Sequence, residues 1–324
     1  MPNSEEEGPV DDHVPPAGMS RALCEGRVAI VTGSGRGLGR AHALELARQG
    51  AAIVVNDLGA EADGTGVSSA PANEVVEEII GMGGQAVANG ADVASTAGAD
   101  ELVETALRAF GRLDVLVNNA GILRDRMIIN MTDDDWDSVT RVHLRGTFAP
   151  TRAAARHWRE LTRKGEVVEA RVINTSSTSG LFGNVGQSNY GAAKAGIASF
   201  TIIAAKELGR YGVTVNAISP AALTRMTQNP DFERRAAEAR KAPIDKYDPH
   251  NLAPIVAWLG SVESAPITGR VFLVFGDRIG VLDSWDRGPT AWTDQRWHPA
   301  DLGPLITDLV DRAAPPTALR EPND

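Results

Sequence analysis

Seven short apolar runs, several rich in β-branched residues, recur along the chain: VAIVT (28–32), AIVVN (52–56), QAVAN (85–89), LDVLVN (113–118), RVINTS (171–176), VTVNAIS (213–219) and VFLVF (271–275). The segments 39–49, 72–82, 98–110, 133–160 and 188–211 between them carry apolar residues at the three-to-four spacing of a helix face. Strands that are apolar throughout are buried on both faces, so the pattern predicts an α/β protein with a parallel sheet between two helical layers. One catalytic domain is expected over residues 25–280. Two stretches break the rhythm. DLGAEADGTGVSSAP (57–71) is long for a strand-to-helix connection. The C-terminal extension, 281–324, carries Trp285, Trp292 and Trp297 among prolines and charges, and is expected to pack on the body or on a partner subunit.

Composition changes this picture little: 43% apolar and 23% charged residues are ordinary for a globular protein of 324 residues. The net charge of −10 argues against a general affinity for nucleic acid or for an anionic membrane. A single cysteine, Cys24, allows no intrachain disulfide, and a reducing, cytoplasmic compartment is expected. Residues 1–24 are acidic and Pro-containing and lack an apolar signal core; they are expected to be disordered or extended. No metal site is expected.

The first candidate chemistry lies in TGSGRGLG. Gly33, Gly35, Gly37 and Gly39 follow the first apolar run and open a helical segment, and such a turn lets the backbone approach a pyrophosphate at a helix N-terminus. Arg36 and Leu38 complete the loop. The second run ends in Asp57, an acid suited to both ribose hydroxyls of NAD and repellent to a 2′-phosphate. Arg36 pulls towards NADP; Asp57, facing the ribose directly, outweighs it. Asp92 and Val93 end the third run, and Asn118, Ala120 and Gly121 belong to the NNAG that ends the fourth. All sit at carboxyl ends of strands, where open parallel sheets bind ligands.

Tyr190 and Lys194 form Y-x-x-x-K, one helical turn apart. An ammonium beside a phenol favours the phenolate and makes Tyr190 a usable acid and base. Ser177, at the end of the fifth run, supplies a hydroxyl for a reacting carbonyl.

TGSGRGLG, NNAG, the SS of INTSS and YGAAK, in this order and spacing, resemble the short-chain dehydrogenase/reductase family over residues 25–280. The resemblance implies a Rossmann-type doubly wound domain with a seven-stranded parallel sheet, and hydride transfer between a nicotinamide and a hydroxyl or carbonyl carbon. It makes Tyr190 the acid/base, Lys194 the group that holds the nicotinamide ribose, and Ser177 the orienting hydroxyl. It also implies homodimers or homotetramers. Where the family usually has Asn in N-x-x-G, this chain has His143. Where P-G is usual it has Pro220-Ala221, with Thr224 implied to reach the carboxamide.

The long VVNDLG insertion, GILRDR, VHLRGTF and GNVGQSNYGAAK are similar to the (3R)-hydroxyacyl-CoA dehydrogenase branch, that of peroxisomal multifunctional enzyme type 2 (17β-hydroxysteroid dehydrogenase type 4). This implies NAD-dependent oxidation of a fatty or steroid acyl-CoA at C3, a β-oxidation step. Arg124, Arg126 and Arg225 are candidate cations for the CoA phosphates, and 221–248 a candidate cover for the substrate. An NADPH-dependent 3-ketoacyl reductase and a steroid or carbonyl dehydrogenase remain open within the family. A dinucleotide-sensing regulator is the non-enzyme alternative.

Overall fold

Residues 22–221, 245–283 and 288–313 are described by a computed structural model of the chain. Strands β1 (Val28–Thr32), β2 (Ala52–Asn56), β3 (Ala86–Asn89), β4 (Val115–Asn118), β5 (Ala170–Thr175), β6 (Val213–Ala221) and β7 (Val271–Phe275) are parallel, as the apolar runs predict. An eighth, β8 (Arg278–Leu282), turns back antiparallel on β7 and completes the order β3-β2-β1-β4-β5-β6-β7-β8. The expected seven-stranded, all-parallel sheet is therefore corrected by one edge strand. RIGVL was missed because it is short and follows β7 through a two-residue turn, Gly276-Asp277. It also runs across the boundary expected at residue 280.

Along β1 the side chains alternate between two cores. Ala29 and Val31 join the layer of α1 (Gly37–Arg48) and α2 (Ala70–Gly81). Val28 and Ile30 join that of α3 (Thr96–Phe110) and of α5 (Gly146–Arg163), which contributes the buried Trp158. This period of two, apolar on both sides, is the physical content of an uninterrupted apolar run.

The long helix expected over 133–160 is broken. It comprises α4 (Asp133–Thr140), a π turn over Arg141–Arg145, and α5. A short α6 (Thr178–Phe182) precedes α7 (Ser188–Leu208); α8 (Ala253–Gly260) and α9 (Leu302–Arg312) follow later in the chain. Cys24, at the end of the N-terminal segment expected to be disordered or extended, is fully buried at the start of the fold, its Sγ donating to the Ala257 carbonyl. Residues 1–21, most of the 221–248 cover, and Trp285 lie outside the described residues. Among those described, no helix is long and apolar enough to cross a membrane.

Three strands end in asparagine, Asn56, Asn89 and Asn118, and β5 carries Asn174 one residue before its end; these side chains pair beneath the carboxyl edge of the sheet. Asn56 Nδ2 donates to Asn89 Oδ1 at 2.9 Å, and Asn118 Nδ2 donates to Asn174 Oδ1 at 2.9 Å. The layer satisfies buried polar groups under the floor of the cleft.

Candidate active site

A cleft of about 700 Å³ opens along the carboxyl ends of the strands. At one end the chain leaves β1 through Gly33, with φ of 61°, and Gly37, with φ of 55°. A Cβ on Gly33 would lie 2.7 Å from the Ala120 Cα, and one on Gly39 only 2.1 Å from the Gly33 oxygen. Only glycine lets these backbones meet. The following α1 starts with Arg36 at its N-cap, with no side-chain cap and no acid in its first turn. Its first amides are thus left for an anionic ligand.

Asp57 stands beside this cradle. Its Oδ2 accepts from Gly35 N at 2.7 Å and its Oδ1 from Gly59 N at 2.6 Å. Each oxygen keeps a lone pair for a ribose hydroxyl. Gly33, Arg36, Gly37, Leu38, Gly39, Asp57, Asp92, Val93, Ala120 and Gly121 all line the cleft, and the glycine cradle with its acid fits a dinucleotide. Among the described residues Arg36 is exposed and makes no ion pair, so it is free to turn towards or away from a ribose.

Two expected contacts are corrected. Asn118 does not face the cleft: it is buried, with Nδ2 shared between Thr151 and Asn174. The neighbouring Asn119 lines the cleft instead and donates to the carbonyls of Thr32 and Gly33, both at 3.0 Å. Gly35 lies behind the loop, where a Cβ would meet Pro71 and Asp57 at 2.7 and 2.9 Å. Thr224 lies outside the described residues. Asp92 pairs with Arg141 from the π turn.

At the other end of the cleft, Ser177 caps α6, and its Oγ accepts from Ser179 N at 3.2 Å. Tyr190 stands close enough to this serine for it to lower the phenol's pKa, and both line the cleft. The Lys194 Nζ lies 5.5 Å from the Tyr190 ring centroid and donates to the Thr175 carbonyl at 2.6 Å. The structure thus brings Ser177, Tyr190 and Lys194 together.

Their electrostatics differ from the expectation of a phenol acidified by its lysine. Burial raises the Tyr190 pKa above its ordinary value; the Ser177 side chain partly offsets this and the Asp125 carboxylate adds to it. Burial also lowers Lys194 to about 7. Desolvation is the largest cause for both groups.

His143 is fully enclosed in the π turn. Its Nε2 meets the Ile122 amide at 3.1 Å and the Ile122 carbonyl at 2.8 Å, and its ring stands edge-on to Tyr190 with centroids 5.0 Å apart. Burial, with help from the Lys194 charge, depresses it to about 3, so it is neutral at physiological pH. A Cβ on Gly121 would come within 2.3 Å of its Cε1, which explains the glycine of NNAG.

Three features escaped the sequence reading. The 57–71 insertion folds over the cleft, with Ala62 accepting from Leu123 N at 2.9 Å. Gln187 donates to Asp125 at 2.8 Å and accepts from Ser179 at 2.7 Å, tying three cleft segments together. Arg124 and Arg126 also lie among acids: Arg124 pairs with Asp134, and both arginines share a shallow pocket with Asp63, Asp125 and Asp135. They are poor candidates for a phosphate. The Leu123–Ala62 and Gln187–Asp125 contacts join residues about sixty apart in the chain, which local spacing cannot reveal.

The profile of the short chain dehydrogenases matches residues 27–235. The chain is 43% identical over 290 residues to hydroxyacyl-CoA dehydrogenase ChsB1 of Mycobacterium tuberculosis, covering 87% of this chain and 88% of that protein. It is 44% identical over 275 residues to mouse peroxisomal multifunctional enzyme type 2, covering 85% of this chain but 35% of that longer protein. A crystal structure of a short chain dehydrogenase from Mycobacterium avium superposes with a TM-score of 0.81 at 50% identity, covering 91% of this chain and 98% of that one. With the glycine cradle at one end of the cleft and Ser177, Tyr190 and Lys194 at the other, the chain belongs to the short-chain dehydrogenase family and is an oxidoreductase.

Proposed function

We propose that the chain oxidises the 3-hydroxyl of an acyl-CoA to a ketone with NAD as acceptor, acting as a cytoplasmic homo-oligomer. The observation that carries the reading is the placement of Ser177, Tyr190 and Lys194 in one cleft with an acid-guarded dinucleotide cradle. The relatives named for hydroxyacyl-CoA and multifunctional peroxisomal enzymes support the substrate class.

In this reading Gly33, Gly37, Leu38 and Gly39 hold the pyrophosphate and Asp57 the adenosine ribose. Asp92, Val93, Asn119 and Ala120 line the space between, and Lys194 reaches the nicotinamide ribose. The bound nicotinamide supplies the acceptor for the hydride from C3. Ser177 Oγ donates to the substrate oxygen and holds it against Tyr190. The Tyr190 oxygen, deprotonated, takes the hydroxyl proton as the C3–H bond breaks, and Lys194 stabilises the phenolate before reprotonation. His143 keeps the Gly121–Ile122 loop and the Tyr190 ring in place; it is a positioning residue.

Arg36 favours a second reading, NADPH-dependent reduction of the 3-ketoacyl compound, because an exposed guanidinium beside the ribose site suits a 2′-phosphate. Initial rates with NAD and NADP, in both directions, on 3-hydroxyacyl-CoA and 3-ketoacyl-CoA separate the two. NAD-linked oxidation is expected to dominate. A preference for NADPH that survives Arg36→Ala would overturn the assignment of Asp57.

A further inference from the structure

Beyond the cleft mouth lies an apolar surface that the chemistry so far does not use. Met127, Ile128 and Ile129 follow Arg126 on a single 3-10 turn and are 53%, 73% and 87% exposed. Val185, 83% exposed, joins them from the connection between α6 and α7. The two segments are fastened side by side. Arg126 N donates to the Gly186 carbonyl at 2.9 Å, Arg126 bridges to Gln187, and Gln187 reaches Asp125 at 2.8 Å. Asn189 Nδ2 donates to the carbonyls of Arg124 and Asp135 at 3.1 and 3.0 Å. The apolar rim therefore sits immediately outward of Asp125 and Gln187, which line the cleft with Tyr190.

Four exposed apolar side chains on two hydrogen-bonded neighbouring segments form a patch of the kind that marks a binding surface. Its surroundings restrict the occupant. The helix that follows opens with Asp133, Asp134 and Asp135, and Asp125 stands on the inner side. Arg124 is already committed to Asp134. Asp125, Asp133, Asp134 and Asp135 outnumber the guanidiniums of Arg124 and Arg126 here, and the net negative charge disfavours the phosphates of CoA and the headgroups of an anionic membrane alike. An uncharged hydrocarbon meets no such penalty.

We infer that Met127, Ile128, Ile129 and Val185 form the seat for the distal hydrocarbon of the substrate, so that the enzyme is built for acyl groups long or bulky enough to emerge from the cleft. The inference rests on the acyl-CoA reading above and extends it. It sets the direction of binding: the thioester carbon stays near Ser177 and Tyr190, the hydrocarbon leaves over the 127–129 turn, and the CoA leaves on the side away from the Asp133–Asp135 acids. A four-carbon acyl group ends inside the cleft and gains nothing from the rim; a sixteen-carbon chain or a fused-ring side chain covers it.

The test compares kcat/KM for 3-hydroxybutyryl-CoA and 3-hydroxyhexadecanoyl-CoA in the wild-type chain and in an Ile128→Ser, Ile129→Ser double variant, with Val185→Ser as an independent second site. These side chains are exposed, so the folded body is left intact. The wild type is expected to favour the long substrate. The double variant is expected to lose about tenfold on it, the scale of one buried aliphatic side chain, while the four-carbon rate stays unchanged and reports an intact catalytic centre. Equal loss on both substrates, or no loss on either, overturns the seat while leaving the dehydrogenase reading standing. Absence of turnover at every length, with both dinucleotides, overturns the acyl-CoA reading and the seat with it. A variant that alters only the mass of the protein in solution assigns the rim to a subunit contact instead.

Discussion

The Lys194 Nζ lies 5.5 Å from the Tyr190 ring centroid, and the pH dependence of the two groups taken together has a sign that can be worked out. With Lys194 brought down to about 7 and the phenol raised, the pair carries both protons below that pH and one fewer above it. The singly deprotonated pair includes the form with phenolate beside ammonium, which is the one that accepts a proton from a hydroxyl. Oxidation should therefore speed up as pH rises through about 7 and then level off, while reduction, which consumes a proton, should show the opposite slope. Oxidation rates that stay flat from roughly pH 6 to 9 would remove the pair from the proton path. Tyr190→Phe should abolish turnover in both directions and leave NAD binding, followed by fluorescence titration, within about twofold. The three polar groups were legible in the sequence because serine, tyrosine and lysine reach one point from fixed positions on β5 and α7. Asn118 was misplaced by one residue. Every side chain of β4 is buried, so the first residue past the strand, Asn119, is the one free to turn into the cleft.

At the scale of elements, the π turn is the feature that periodicity could not find. It inserts into a helical pattern without Pro or a change in composition, so apolar spacing reads straight through it. Its consequence is local: the turn carries His143 inward against Gly121 and Ile122, so that a strand-end loop and a helix are clamped through one imidazole. Gly121→Ala drives a methyl group into that ring and should cost about 1–3 kcal/mol, the usual penalty of overpacking. Adding His143→Ala to the same chain should recover part of the loss, because the clash partner is gone. Urea midpoints for the single and double variants measure this coupling. Strictly additive effects would show that the glycine is required for some other reason. Legibility follows the same divide elsewhere. β1 to β7 and the glycine cradle announce themselves by local pattern, whereas the fold-over of residues 57–71 depends on Leu123 and Arg124, which no local window contains.

For the whole molecule, a second group of uncovered apolar residues, apart from the 127–129 rim, lies towards its C-terminal side. Among the described residues β8 is the outer strand of the sheet, with Ile279 and Val281 more than half exposed. The helix of residues 302–312 buries none of its own side chains, and its Ile306 and Val310, one turn apart, are 51% and 65% exposed. Exposed apolar side chains on a strand and an amphipathic helix with a bare apolar stripe are both unfavourable to leave in water. A second copy of the chain covers such surfaces without any new partner, since a two-fold axis brings a surface onto itself. The homo-oligomer proposed above is therefore expected to use this helix. Light scattering should give the wild-type chain a mass of at least two copies, and Ile306→Lys with Val310→Lys should lower it. If dehydrogenase activity per chain persists in the dissociated variant, each cleft is complete within one chain. A wild type that runs as one chain would refute the oligomer. An unchanged mass in the variant would move the contact away from the helix, leaving the β8 edge as the next place to substitute.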